Sequence, residues 1–347
     1  MLISLARKNQ MILRVQATRQ LYSLQFIMQS KYNRLMNRRK TLHKHNIGVN
    51  CGTGNQVNDD HNNVVNNSGR EPMDISSAEV ILKSDQECQV DFVSSAGIDL
   101  IFLVKIKTGL TFSAIAIFFG LHRSTISKIF FSTLQYLSSS TANLVFWPSR
   151  AAVQKTMPEC FKPQYSNTWV IIDCTEFKID VPSSVDDRIY CYSHYKKGLT
   201  AKVLIGITPS GFICFKSKVA GGRKGDSQLT IESNLVDSLE DGDVVLADKG
   251  FPEIRSIIGA SGKRVFLIMP PFLEKKSEFS KEETDLTYNI ARVRIHVEII
   301  MQRLKTYQIL YKIPEHLFFC IDNIIHVICV LVNLQPPIFS NKTKTIK

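Results

Sequence analysis

The sequence predicts a mixed α/β protein in which a sheet-and-helix C-terminal half follows an all-α segment and a basic N-terminal arm. Three observations carry that prediction. Apolar stretches of strand length alternate with longer helical stretches from Trp169 to Asn333. Apolar residues recur at intervals of three and four between Ile98 and Leu134, the period of one helix face. The charge is partitioned along the chain: residues 1–58 hold ten basic residues and no acidic one, 59–96 carry a net −6, 97–157 a net +5, and 158–347 a net +3. That partition reads as a map of an arm (1–58), an acidic linker (59–94), a helical domain (95–150), an α/β domain (158–336) and a basic tail (337–347).

Composition excludes several classes. With 347 residues, 44% of them hydrophobic, the chain can build a sizeable core and is not a disordered protein as a whole. No apolar run approaches the ~18–20 residues of a membrane-spanning helix, because Lys105 and Lys107 interrupt the stretch from Ile98. The eight cysteines include no C-x-x-C pair, which argues against a zinc finger or a disulfide scaffold. A net charge of +12 points to a polyanionic partner.

In the arm, Leu13, Leu21, Leu24, Ile27 and Met28 follow helical spacing. The run from Lys31 through Arg38, Arg39 and Lys40 to Lys44 suits nuclear import or nucleic-acid contact. An Arg-containing, acid-free start equally resembles a mitochondrial transit peptide, and a solvated charged helix is a third reading. Asn50–Gly69 is rich in Asn, Gly and Asp and reads as linker, with disorder expected to about residue 90.

From Ile98 a first helix is expected to end at Thr108-Gly109. Thr111 caps a short second helix carrying Ile115, Ala116 and Phe119, and Gly120 supplies the turn. Ser124 is expected to cap the third helix, with Ile126, Ile129, Phe130 and Leu134 on its inner face. This is the spacing of a helix-turn-helix, whose second helix enters the major groove. His122, Arg123, Ser124, Thr125, Ser127 and Lys128 would then face DNA. A plain packing domain has the same pattern, and the local +5 favours DNA.

The α/β half is expected to contain strands at Trp169–Phe177, Ala201–Thr208, Phe212–Val219, Asp243–Asp248 and Arg264–Met269. Helices are expected at Ser227–Leu239, from Pro252, at Tyr288–Leu310 and at Ile321–Asn333, the last packed on the sheet. The order β-β-β-α-β-α-β-α is that of a ribonuclease H-like fold, where the first and fourth strands are neighbours. Asp173, unusual within an apolar strand, could then meet Asp248 at one sheet edge, and Glu298 from the long helix could complete a carboxylate trio. Such a cluster is costly unless a cation neutralises it. Hard oxygen ligands favour Mg²⁺, or Mn²⁺ in its place, and two ions about 3.5–4 Å apart suit phosphoryl transfer. Singly, Asp248 could cap a turn before Gly250, and Glu298 could pair along its helix with Arg294.

The phrases VIIDCTEF around Asp173, YSHYKKGLTAKVLIGITPSG from Tyr192, GGRKGDSQLT from Gly221 and DGDVVLADKGF around Asp248 occur in order. MPPF from Met269 and IARVRIHVEIIMQRLKTYQIL around Glu298 follow, with FFGLHRSTISKIF and FWPSR upstream. Together they resemble the Harbinger-like DDE transposases over roughly residues 95–335. The resemblance implies that Asp173, Asp248 and Glu298 are the metal-binding DDE triad. It implies water-driven cleavage of double-stranded DNA at element ends, with the freed 3′-hydroxyl then attacking target DNA. Lys196, Arg223, Lys224 and Arg294 become candidate phosphate contacts. Asp226 becomes a supporting acid, or else a helix N-cap.

Two departures stand out. The family usually has Arg after Val-Glu, where this chain has Ile299, and longer relatives begin with a Cys/His zinc finger for which Cys51 and Cys88 give no matching spacing. The expectation is therefore a nuclear, metal-dependent endonuclease or transposase without a membrane partner. The alternatives are a domesticated or decayed DNA-binding copy that does not cut, and a mitochondrial nuclease. Homo-oligomerisation and a separate DNA-binding partner are left open.

Overall fold

The computed structural model describes residues 95–251, 253–273 and 278–338. The expected basic helix, the acidic linker and most of the tail lie outside the described residues.

Three helices come first. Helix α1 (Ser95–Thr108) is followed by α2 (Phe112–Phe119), which starts where the Thr111 side chain accepts the Ala114 N–H at 3.2 Å. Gly120 ends α2 with φ of 66°, a left-handed conformation that glycine adopts without a Cβ clash. Helix α3 (Arg123–Ser140) begins earlier than expected. Its cap is His122, not Ser124: the imidazole Nδ1 accepts the Ser124 N–H at 3.3 Å and bonds the Ser124 hydroxyl at 2.7 Å. Ser124 therefore sits inside the first turn. Phe102, Phe112 and Phe130 form the centre of this bundle, with ring centroids 5.5 and 5.6 Å apart.

After the short helix α4 (Arg150–Lys155) the chain enters the sheet through β1 (Thr168–Ile179), whose residues 168–172 are all buried. Strand β2 (Tyr192–Ser193) follows the unexpected helix α5 (Val185–Cys191), then come β3 (Gly198–Ile207), β4 (Ile213–Lys216) and β5 (Ala220–Gly221). Strands β6 (Val244–Leu246), β7 (Phe266–Ile268) and β8 (Lys312–Ile313) complete the sheet. The main order is β2-β3-β1-β6-β7, with β4 and β5 also on β3 and β8 on β1. Strand β1 pairs antiparallel with β3 and parallel with β6, and β6 pairs parallel with β7. Taking β4 as the third strand gives the ribonuclease H-like order expected from the sequence.

Helices cover both faces. Helix α6 (Asp226–Glu232) and helix α7 (Ile254–Ala260) close one core with Trp169, Val170, Ile172, Leu204 and Val245. Trp147 of the FWPSR segment stacks on Trp169 at 4.0 Å and anchors the entry to this core. The helix expected over Ser227–Leu239 is broken after Glu232, because Asn234 takes a left-handed φ of 58° and only a 3₁₀ turn at Val236–Ser238 follows.

On the other face lies α8 (Lys281–Lys305). It starts before the expected Tyr288 because Ser280 and Glu283 form a capping box, a signal present in the sequence as Ser-x-x-Glu. Helix α9 (Ile321–Asn333) packs beside α8, α3 and β4. The stretch Glu315–Asn333 is long and apolar enough to cross a membrane, yet Ile324, Ile325, Val327, Ile328 and Val332 are buried within this layer.

Candidate active site

The parallel pairing of β1 and β6 sets the site. Ile171 is level with Leu246 in the last pair of that register, which brings Asp173 of β1 and Asp248, two residues past the end of β6, to the same end of the strand pair, near enough for their charges to repel. The apolar run of β1 explains why Asp173 is drawn inward: it continues a strand whose preceding residues are all buried. Asp248 lies just past its strand, where the backbone leaves the sheet, and its side chain is 50% exposed. Glu298 projects from the middle of α8 and is 61% exposed.

Electrostatics tie the three together. Burial, with Glu298 and then Asp248 adding repulsion, raises the Asp173 carboxyl to about 7, although Arg294 and the Cys174 backbone pull it down. Arg294, one turn before Glu298 on α8, donates from Nη1 to Asp248 Oδ1 at 3.2 Å. Its Nη2 lies 3.7 Å from Glu298 Oε1. The along-helix pair expected for Glu298 thus exists, and the same arginine also reaches Asp248. Among the described residues, no three His, Cys, Asp or Glu side chains close around a single point as they stand. The donor set nonetheless suits a hard divalent cation: oxygen atoms only, mutually repelling, and open to solvent at Asp248 and Glu298.

A second charged group, of which the sequence reading named only Asp226, lies one strand pair away. Lys202 of β3, only 7% exposed, reaches Glu176 at 3.3 Å and Asp226 at 2.9 Å, and donates to the Lys224 carbonyl at 2.8 Å. Burial alone would lower the Lys202 pKa, but the two carboxylates outweigh it and hold the ammonium charged. Thr200 donates to Glu176 at 2.7 Å. The cap of α6 is Gly225, so Asp226 is not the N-cap considered for it; it is instead a half-buried partner of Lys202. Its carboxylate lies beside Gly250, two residues after Asp248, where a Cβ would come within 2.9 Å of Asp226 Oδ2. The available signal was a lysine inside an apolar strand, Ala201-Lys202-Val203, together with Glu176 two residues beyond Cys174.

The candidate DNA contacts divide. His122, Arg123, Ser124 and Lys128 are exposed along the start of α3, whereas Thr125 and Ser127 are half-buried. Lys196 is exposed in the β2–β3 turn, its ammonium 4.6 Å from the Tyr195 ring centroid, and Arg223 is exposed. Lys224 is engaged by Glu232, and Arg294 by the acids rather than solvent. Ile299 is half-buried in α8.

Comparison with known families agrees with this layout. Residues 172–333 match the family model described as DDE superfamily endonuclease, and residues 100–142 match the model described as helix-turn-helix of DDE superfamily endonuclease. No curated protein and no solved structure matches the chain. A ribonuclease H-like sheet preceded by a three-helix unit, with both parts matched, identifies residues 172–333 as a DDE superfamily endonuclease domain and residues 100–142 as its helix-turn-helix.

Proposed function

We propose that the protein is a divalent-metal-dependent DNA endonuclease of the Harbinger-like transposase group, with Asp173, Asp248 and Glu298 as the metal-holding residues. One observation carries this reading. Asp173 on β1 and Asp248 just past the end of the parallel strand β6 stand, with Glu298, close enough to repel one another, and their charges add to the burial that raises the Asp173 carboxyl to about 7. Three carboxylates gathered in this way are unstable without a cation, and Mg²⁺ or Mn²⁺, two ions in the full site, would supply positive charge against the developing phosphorane. The chain's own part is positional. Sheet and helix hold the acids together, Lys202 holds Asp226 beside the Gly250 turn, and exposed Lys196 and Arg223 offer phosphate contacts. The start of α3 offers His122, Arg123 and Lys128 to the duplex, with Ser124 beside them. The substrate in this reading is double-stranded DNA at transposon ends, joined afterwards to target DNA in the nucleus; a second copy of the chain or a separate DNA-binding partner fits the same scheme.

Cleavage of terminal-repeat DNA in Mg²⁺ or Mn²⁺ tests it. Wild type is expected to cut, and Asp173→Ala, Asp248→Ala and Glu298→Ala each to lose at least ~100-fold in rate. No cutting by wild type, or equal cutting by all four, overturns the assignment. The pairing of Arg294 with two of the acids favours a second reading, a transposase-derived protein that binds DNA without cutting, and the same assay separates the two. In filter binding, Arg123→Ala with Lys128→Ala is expected to weaken affinity and reduce the salt slope by about 2. An unchanged slope would leave the three helices a packing unit.

A further inference from the structure

Lys202 and Arg294 are two largely buried cations paired with acids, and they are held differently. Lys202 is fully committed, to Glu176, to Asp226 and to the Lys224 carbonyl. Arg294 is not. Its side chain is 13% exposed, its terminal nitrogens reach Asp248 and Glu298, and its Nε is buried with no hydrogen-bond partner. The two carboxylates it holds are 50% and 61% exposed, so they are open to an ion arriving from solvent while the arginine comes from the helix side.

We infer that Arg294 is the resident counter-ion of the carboxylate site, which a divalent cation displaces when it takes Asp248 and Glu298. The inference rests on the metal reading above and adds a competitor to it. Two neighbouring carboxylates favour any nearby cation. A guanidinium cannot relieve the pairing by losing its proton, so it leaves only by moving. The 3.2 and 3.7 Å contacts are looser than the 2.7–2.9 Å of a tight charge-assisted bond. The arginine thus holds the acids together in the metal-free protein without the second-sphere bonds that would fix it there. Metal entry exchanges one cation for another at the same two oxygens.

The test uses the full chain, with thermal melting in EDTA and Mn²⁺ titration by calorimetry. Arg294→Met is expected to melt lower than wild type in EDTA, because three acids lose their cation. It is expected to bind Mn²⁺ roughly tenfold more tightly, the equivalent of one charge-assisted bond no longer displaced. Arg294→Lys, whose single ammonium cannot fork between both carboxylates, is expected between the two in both readouts. Should Arg294→Met fail to fold, the lysine variant decides alone. Unchanged or weaker Mn²⁺ binding by the folded variants overturns the inference while leaving the metal reading intact, since an arginine that merely orders the acids would give that result. Absence of Mn²⁺ binding in wild type and both variants removes the metal reading, and the inference with it.

Discussion

Asp173 is where burial and charge conflict most directly. A carboxyl raised to about 7 is favoured in its protonated form by the fold, whereas the unfolded chain releases that proton near its ordinary value of 3.8. Between those values the folded state binds more protons than the unfolded one, so stability falls as pH rises through that window. Above it the penalty is complete. Asp173→Asn is therefore expected to raise the melting temperature of the EDTA-treated protein at pH 8, and to leave it nearly unchanged at pH 4. A gain at pH 4 as large as at pH 8 would show that burial and repulsion of the charge are not the cause. Cys174 next door faces the other side of the sheet: burial pushes its thiol up, and Asp226 adds to the shift. The residue after the first acid is thus an inert thiol packed against the core, not a nucleophile.

The elements show how much of the fold local chemistry decides. Gly109 and Gly120 both end helices with φ of 66°, yet their surroundings differ. A Cβ at Gly109 would sit 2.8 Å from the Gln308 carbonyl oxygen, whereas Gly120 has nothing within 4 Å. Gly120→Ala is expected to cost about 1 kcal/mol, the strain of a left-handed alanine. Gly109→Ala is expected to cost clearly more in urea denaturation, since α1 must also move off residues 308 and 309. Equal losses would mean that the close approach can relax without cost. The capping box at Ser280 and the turn glycines were legible as sequence signals. The caps and breaks that were not legible depended on competition: His122 displaced Ser124 as the cap of α3, and Asn234 ended α6 early.

At the scale of the whole molecule, the three-helix unit is fastened to the end of α8 and to α9. Lys107 donates to Thr306 at 3.1 Å, Ser138 to Asn323 at 3.2 Å, and Thr141 meets His326 at 3.3 Å. Phe131 packs against Phe319 with ring centroids 5.4 Å apart. A helical unit sharing this much surface with α9 is expected to unfold together with it. Scanning calorimetry of the protein should show one cooperative transition for residues 95–338, not separate helical and α/β peaks. Two resolved transitions would show that the contacts are too weak to couple the parts.

The sequence by itself determined the strand order, because alternating apolar strands and helices of these lengths leave few ways to bury both sheet faces. It also offered the candidate acids: an aspartate inside an apolar strand is unusual, and although each acid taken singly is weak evidence, the ordered trio on suitable elements is far more specific. The tertiary structure decided what each acid faces. Whether Glu298 pairs along its helix or joins the aspartates is a matter of which side of α8 rests on the sheet, and the structure gives both through Arg294. Expected on phosphate, that arginine lies between two carboxylates. Lys202, Glu176 and Asp226 meet only because β1 and β3 pair in one register, with Glu176 opposite Lys202. Local periodicity reports which residues turn inward; the charges they find there depend on strands and helices far apart in the chain.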